Sequence, residues 1–198
     1  MTISIVKRGP IVTSDARRKM IEGAVRMLAQ RGLQATSFSE LLELTGAPRG
    51  SVYHHFPQGK DQLVGEAVDL AGGFLVAQLE RHAGATAVAI TGHFLAIWRA
   101  VLTQSRCESG CAVLAVAVAT DSSALMNHAA EVFRLWRERL GDMLAQGGLA
   151  KKDARRFAVV LIAAAEGAVV MSRAEQDVEP FETVARQLLD QARAIAAG

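Results

Sequence analysis

Arg49, Gly50, Ser51 and His54 fall within six consecutive positions of this 198-residue chain, and Tyr53 lies among them. The chemistry open to such a set is the reading of a nucleic acid. An arginine fork can bind guanine bidentately, a glycine lets the backbone come close, and serine and histidine can reach base edges. On a helix, Arg49 and Tyr53 share one face at i, i+4, while Val52 and Phe56 share another that can turn inward.

Such side chains need a rigid mount, and the residues just before them supply one. Ser37 followed by Glu40 has the form of a capping box, in which the two side chains cover orphan amides at a helix start. Leu41, Leu42 and Leu44 give that helix an apolar side. Thr45-Gly46-Ala47-Pro48 then breaks it, with Gly46 where a helix often ends in a left-handed residue. Pro48 fits the first turn of a new helix, because its missing N–H would have no intrahelical partner there. Two short helices joined by a tight glycine turn form a helix-turn-helix whose second helix presents the polar set.

The run from Thr36 to Leu63, with Gly46, Gly50-Ser51-Val52-Tyr53-His54-His55-Phe56 and then Lys60, resembles the DNA-binding signature of the TetR family of bacterial transcriptional repressors. The resemblance implies an all-α fold: an N-terminal three-helix head over 14–60 and a helical ligand-binding and dimerisation domain over 61–198. It implies three partners, namely double-stranded operator DNA, a small-molecule effector and a second copy of the chain. Tyr53 and Lys60 match family positions that hold phosphates, and a lysine at a helix start, mildly unfavourable alone, gains a reason from a nearby anion. The expected DNA-contact set is therefore Ser37, Arg49, Gly50, Ser51, Tyr53, His54 and Lys60. Pro48 departs from the serine frequent in the family, which puts one hydroxyl contact in doubt. The Pro57-Gln58-Gly59 insertion and the Cys-containing loop further on resemble the LmrA/YxaF-type branch.

Charge distribution agrees with a split of tasks. Residues 1–60 carry 9 Lys+Arg against 4 Asp+Glu, while the other 138 carry 13 against 16. A basic first third suits phosphate, and a mildly acidic remainder suits another role. Few aromatics, abundant alanine and few prolines favour helices. Residues 1–13 read as a mobile basic arm or a plain disordered terminus. No signal peptide is expected at Met1–Val6, and Phe157–Met171 is interrupted by Glu166 and short of a span, so no membrane partner and a cytoplasmic location are expected.

Along the rest of the chain, helical stripes recur. Ile21, Ala24, Val25 and Leu28 mark the first helix. Lys60 opens a long one whose buried side is expected to hold Leu63, Val64, Ala67, Val68, Leu70, Ala71, Phe74 and Leu75. Gly72-Gly73 in its middle marks either a bend or close packing. Beyond a break at 82–86, further helices carry Phe94–Leu102, Ala112–Ala119, Leu125–Met143, a segment from Asp153 and a last one from Pro180. Phe157–Met171 is apolar almost all round and must be covered by neighbours or a second subunit. Ala164, Ala168, Met171, Val184 and Leu188 are the expected dimer contacts, because paired heads one DNA turn apart can read a palindrome.

His93, Phe94, Trp98, Met126, Phe133, Trp136 and Glu166 could line a pocket for a small apolar effector, with core packing the alternative for each. Cys107 and Cys111 invite a thiol-based redox reading, or serve as small apolar residues. Zinc would need four ligands that the spacing does not supply, so no metal is expected. Nucleotide loops, metalloprotease and nucleophile-elbow motifs are missing, so neither an enzyme nor a cofactor is expected.

Overall fold

Asp15–Arg31, the first helix (α1), starts in a run of basic residues whose partners lie close by. Asp15 holds Arg18 at 2.7 Å and Lys19 at 2.9 Å, while Arg17 pairs with Glu66 at 2.6 Å and lies over the Phe56 ring. The computed structural model describes residues 15–46 and 49–197; the N-terminal arm and Ala47-Pro48 fall outside them. Among the described residues the fold is all-α, with no strand. The other helices are α2 (Phe38–Thr45), α3 (Arg49–His55), α4 (Lys60–Glu80), α5 (Ala87–Ser105), α6 (Ala112–Ala117), α7 (Ser123–Gln146), α8 (Lys151–Glu175) and α9 (Glu179–Ala197).

The head forms because three short apolar stripes meet. Met20, Ala24 and Leu28 of α1, Leu41 of α2, and Val52 with Phe56 at the end of α3 are all buried. Gly23 permits close approach of α2, since a Cβ there would lie 2.9 Å from Leu41 Cδ1 and 3.0 Å from Thr45 Cγ2. Ser37 caps α2 by accepting from the Glu40 N–H at 3.3 Å. The Glu40 carboxylate accepts from the Ser37 hydroxyl at 3.1 Å and reaches toward Arg31 at 3.6 Å. Gly46 closes α2 at φ +68°, its N–H bonded to the Leu42 carbonyl at 2.8 Å.

α4 carries the head into the body and runs unbroken through Gly72-Gly73. Close packing explains Gly72: a Cβ would lie 2.6 Å from a Val132 methyl of α7, and the Trp136 indole N–H donates to the Gly72 carbonyl at 3.0 Å. Leu70 and Phe74, expected inside, are exposed instead. They lie where α4 leaves the cover of α7 and faces a cleft.

In the body, α7 packs on α4 and α8, α8 on α9, and α9 on α5. Arg99 of α5 grips Glu182 of α9 with two bonds, the one from Nη2 at 2.8 Å. α8 is long and apolar enough to cross a membrane by composition, but half of its most apolar window is buried inside the protein. The other side leaves Val159, Val160, Ala163, Gly167, Val170 and Met171 exposed. The body also touches the end of α1: the Gly110 N–H donates to the Ala29 carbonyl at 2.9 Å, and Arg173 of α8 to the Gln30 carbonyl at 2.9 Å.

Candidate nucleic-acid interface and ligand cleft

α3 is too short to hold itself, so its orientation comes from Val52 and Phe56, which are fully buried. Fixing that side turns Gly50, Tyr53 and His54 outward, with Ser51 half-buried. Tyr53 is 68 % exposed, and its ring meets the Phe38 ring edge to face at 5.6 Å, which limits where the hydroxyl can go. A Cβ on Gly50 would meet nothing among the described residues. Arg49 begins α3; its side chain lies outside the described residues.

Lys60 sits at the start of α4 with its ammonium donating to the Leu33 carbonyl at 3.0 Å. That bond ties the loop after α1 to the start of α4. Ser37, the remaining member of the expected set, is occupied as the α2 cap.

A cleft of about 660 Å³ opens where α1, α4, α5, α6 and α7 converge. Its apolar wall includes Val25, Leu70, Phe74, Val101, Trp98 and Trp136, and its rim carries Glu22, Arg26 and Gln104. Of the seven expected ligand residues, the cleft gathers the two tryptophans. Phe133 packs edge to face on Trp136 at 5.5 Å. Phe94 is core, and Met126 is exposed elsewhere on α7. His93 stacks on His82 at the α4–α5 junction; burial and the neighbouring His82 charge lower its pKa.

Glu166 lies behind Cys111, whose side chain forms part of the cleft wall. It is 5 % exposed, and neither carboxyl oxygen has a hydrogen-bond partner among the described residues. Burial pushes its pKa up to about 7, with the Cys111 thiol pulling the other way. Cys111 in turn caps α6, its sulfur accepting from the Leu114 N–H at 3.3 Å. Burial and the Glu166 charge raise the Cys111 thiol well above its ordinary value, which keeps it protonated and a poor nucleophile. Cys107 is buried as well, and both cysteines are free.

The helices α1 and α4 contribute wall residues that sequence reasoning did not assign to a ligand. One signal was present: the apolar arc of α4 from Leu63 to Leu75 is wider than one packed face requires. The expected dimer residues divide too. Ala168 and Leu188 are buried inside the chain, Ala164 and Val184 are half-buried, and Met171 is exposed.

Residues 20–67 match the family described as bacterial regulatory proteins, tetR family, and residues 87–187 match the transcriptional regulator LmrA/YxaF-like C-terminal domain. An uncharacterised HTH-type transcriptional regulator of Mycobacterium tuberculosis strain H37Rv is 31 % identical over 87 % of this chain and 91 % of its own length. The HTH-type transcriptional regulator LmrA of Bacillus subtilis is 26 % identical over 84 % of this chain and 91 % of its own. A TetR transcriptional regulator from Legionella pneumophila has the same fold, with a TM-score of 0.79 at 20 % identity, covering 91 % of this chain and 98 % of that one. The helix-turn-helix head, the helical body and these matches agree: the chain belongs to the TetR family of transcriptional regulators, with a C-terminal domain of the LmrA/YxaF-like type.

Proposed function

We propose that the protein is a homodimeric repressor that reads a palindromic operator and releases it when a small apolar effector binds. The observation that carries this reading is the two-sidedness of α3, with Val52 and Phe56 buried and Gly50, Tyr53 and His54 facing out. Arg49, Gly50, Ser51 and His54 read base edges, while Tyr53 and Lys60 hold phosphates and Ser37 stands at the α2 start beside them. The head is residues 14–60 and the regulatory body 61–198, acting in the cytoplasm.

The exposed apolar face of α8 supports the dimer. Val159, Val160, Ala163, Gly167, Val170 and Met171 form a continuous stripe, and with Ala164 and Val184 they meet the same face of a second copy. The small residues Ala163 and Gly167 permit close approach of the two α8 helices. The effector occupies the cleft between Trp98 and Trp136, where it also touches α1 of the head through Val25. A ligand that favours one placement of α1 against the body changes the spacing of the paired heads. A coupling of about 1–3 kcal/mol weakens operator binding roughly 5- to 150-fold. The thiol-sensor alternative, using Cys107 and Cys111, has two buried thiols to overcome.

Gel shifts on DNA flanking the protein's own gene test the reading. Sequence-specific, salt-sensitive binding that Arg49→Ala or Tyr53→Ala abolishes supports it; binding indifferent to sequence and to both substitutions sinks it.

A further inference from the structure

The body is acidic as a whole, but its charge is unevenly placed. Residues 134–156, the second half of α7 and the first turns of α8, carry 7 Lys+Arg against 3 Asp+Glu, while the rest of 61–198 carries 6 against 13. Arg134, Arg137 and Arg139 of α7 are exposed, and so are Lys151, Lys152, Arg155 and Arg156 of α8. Of these, Arg156 alone has a carboxylate within 4.0 Å among the described residues, that of Asp153. The two helices bring the cations to one place. A Cβ on Gly141 would lie 3.6 Å from the Arg155 Cα, so α7 and α8 cross closely there. Arg134 and Arg137 precede Gly141 by seven and four residues, on the same stripe of α7. Lys151 and Arg155 line a groove of about 400 Å³ between the helices, whose wall holds one carboxylate, Asp142. The Ala87 N–H donates to the Gly147 carbonyl at 2.9 Å, which fixes the α7–α8 turn beside the start of α5, beyond the end of α4. From Lys60 in the head to that end, the 21 residues of α4 rise about 30 Å, so the basic tip lies well away from α3.

We propose that this tip is a second nucleic-acid surface, which holds the phosphate backbone of a duplex other than the one at the head, without regard to its sequence. Exposed like charges gathered with few partners repel one another, and a bound polyanion removes that repulsion. The aromatic residues of this segment and its edge, Trp136 and Phe157, are buried, so the surface has no aromatic anchor of the kind that centres a protein interface. Its partner is therefore recognised by charge density. Duplex DNA supplies that density and gains from the release of its condensed counterions, which a short acidic peptide does not. A regulator held on DNA by its head also keeps the tip at a high local concentration of duplex. The inference needs only a head that binds DNA, and neither the operator nor the effector reading given above.

Lysine acetylation footprinting on the full chain tests this, because Lys151 and Lys152 report the tip while Lys60 reports the head. A duplex of arbitrary sequence in excess should protect Lys151 and Lys152 severalfold at about 50 mM salt, and the protection should be lost at about 200 mM. In a second assay the parent should join a fluorescent duplex to one fixed on beads. The captured fraction should fall roughly 100-fold between those salts, as about four neutralised phosphates require. A variant combining Lys151→Gln, Lys152→Gln, Arg155→Gln and Arg156→Gln alters exposed side chains and should keep the helical circular dichroism signal and the protection of Lys60. It should lose the capture of the second duplex. Tip lysines that duplex leaves unprotected, or capture that the variant performs as well as the parent, overturns the proposal. So does protection of the two lysines by phosphatidylserine vesicles or polyglutamate that equals the protection by duplex. Protection of Lys60 is read in the same experiment, so failure of the head and failure of the tip are told apart.

Discussion

Replacing Glu166 by glutamine should change how the stability of this protein depends on pH, and the size of the change follows from its burial. The carboxyl is held at about 7 against an ordinary 4.5, because desolvation by the surrounding helices disfavours its charge. Below pH 4.5 the group is protonated in both folded and unfolded chains and contributes no pH dependence. Between 4.5 and 7 the folded chain keeps a proton that the unfolded chain releases, so unfolding free energy falls as pH rises. Above 7 the loss is complete. At about 1.4 kcal/mol per pKa unit it amounts to roughly 3 kcal/mol. Glutamine keeps the shape and stays neutral throughout, so Glu166→Gln should match the parent near pH 4 and exceed it by up to about 3 kcal/mol at pH 8. Urea unfolding at one fixed protein concentration, run at intervals from pH 4 to 8.5, measures this. A difference between parent and variant that stays constant across that range would refute the assignment of a buried, uncompensated carboxyl.

Four further outcomes follow from particular positions. Gly72→Ala should destabilise by about 1–3 kcal/mol, since its methyl group would meet the Val132 side chain. Gly73→Ala, one residue on with open space around it, should stabilise by about 1 kcal/mol; thermal denaturation of the pair checks both. Lys60→Ala should weaken binding nearly equally on all DNA sequences and reduce the slope of log affinity against log salt by about one, measured by fluorescence anisotropy. Val170→Asp, on the exposed face of α8, should turn the proposed dimer into a monomer in sedimentation velocity while the helical circular dichroism signal is kept.

The head was legible in the sequence because its devices are local. Ser37 and Gly46 mark the two ends of α2 through cap chemistry that needs only a few neighbouring residues, and the four-residue spacing of Val52 and Phe56 settles which side of α3 faces in. The body was legible as helices but not as surfaces. Leu70 and Phe74 belong to the apolar arc of α4, yet whether they are covered depends on the angle at which α1, α5 and α7 meet it, which no local pattern encodes. The same holds for α8: a helix apolar all round does not say which side meets α9, so Ala168 falls inside while Val159 and Val170 fall outside. Gly72 could have marked a bend, and the choice was made by Val132 and Trp136, far along the chain on α7. Trp98 and Glu166 were visible as candidates, but that Trp98 Nε1 and the Glu166 oxygens find no hydrogen-bond partner among the described residues is a property of the packed structure alone.

The central claim is that a pair of α3 helices reads an inverted repeat. Selection of protein-bound DNA from a random-sequence pool, followed by sequencing, tests it most directly. The account predicts enrichment of a palindrome whose half-sites are spaced by about one helical turn, 34 to 36 Å, lost when Arg49→Ala or Tyr53→Ala replaces the parent. A bound pool with no symmetric motif, or one that both variants enrich equally well, would contradict it.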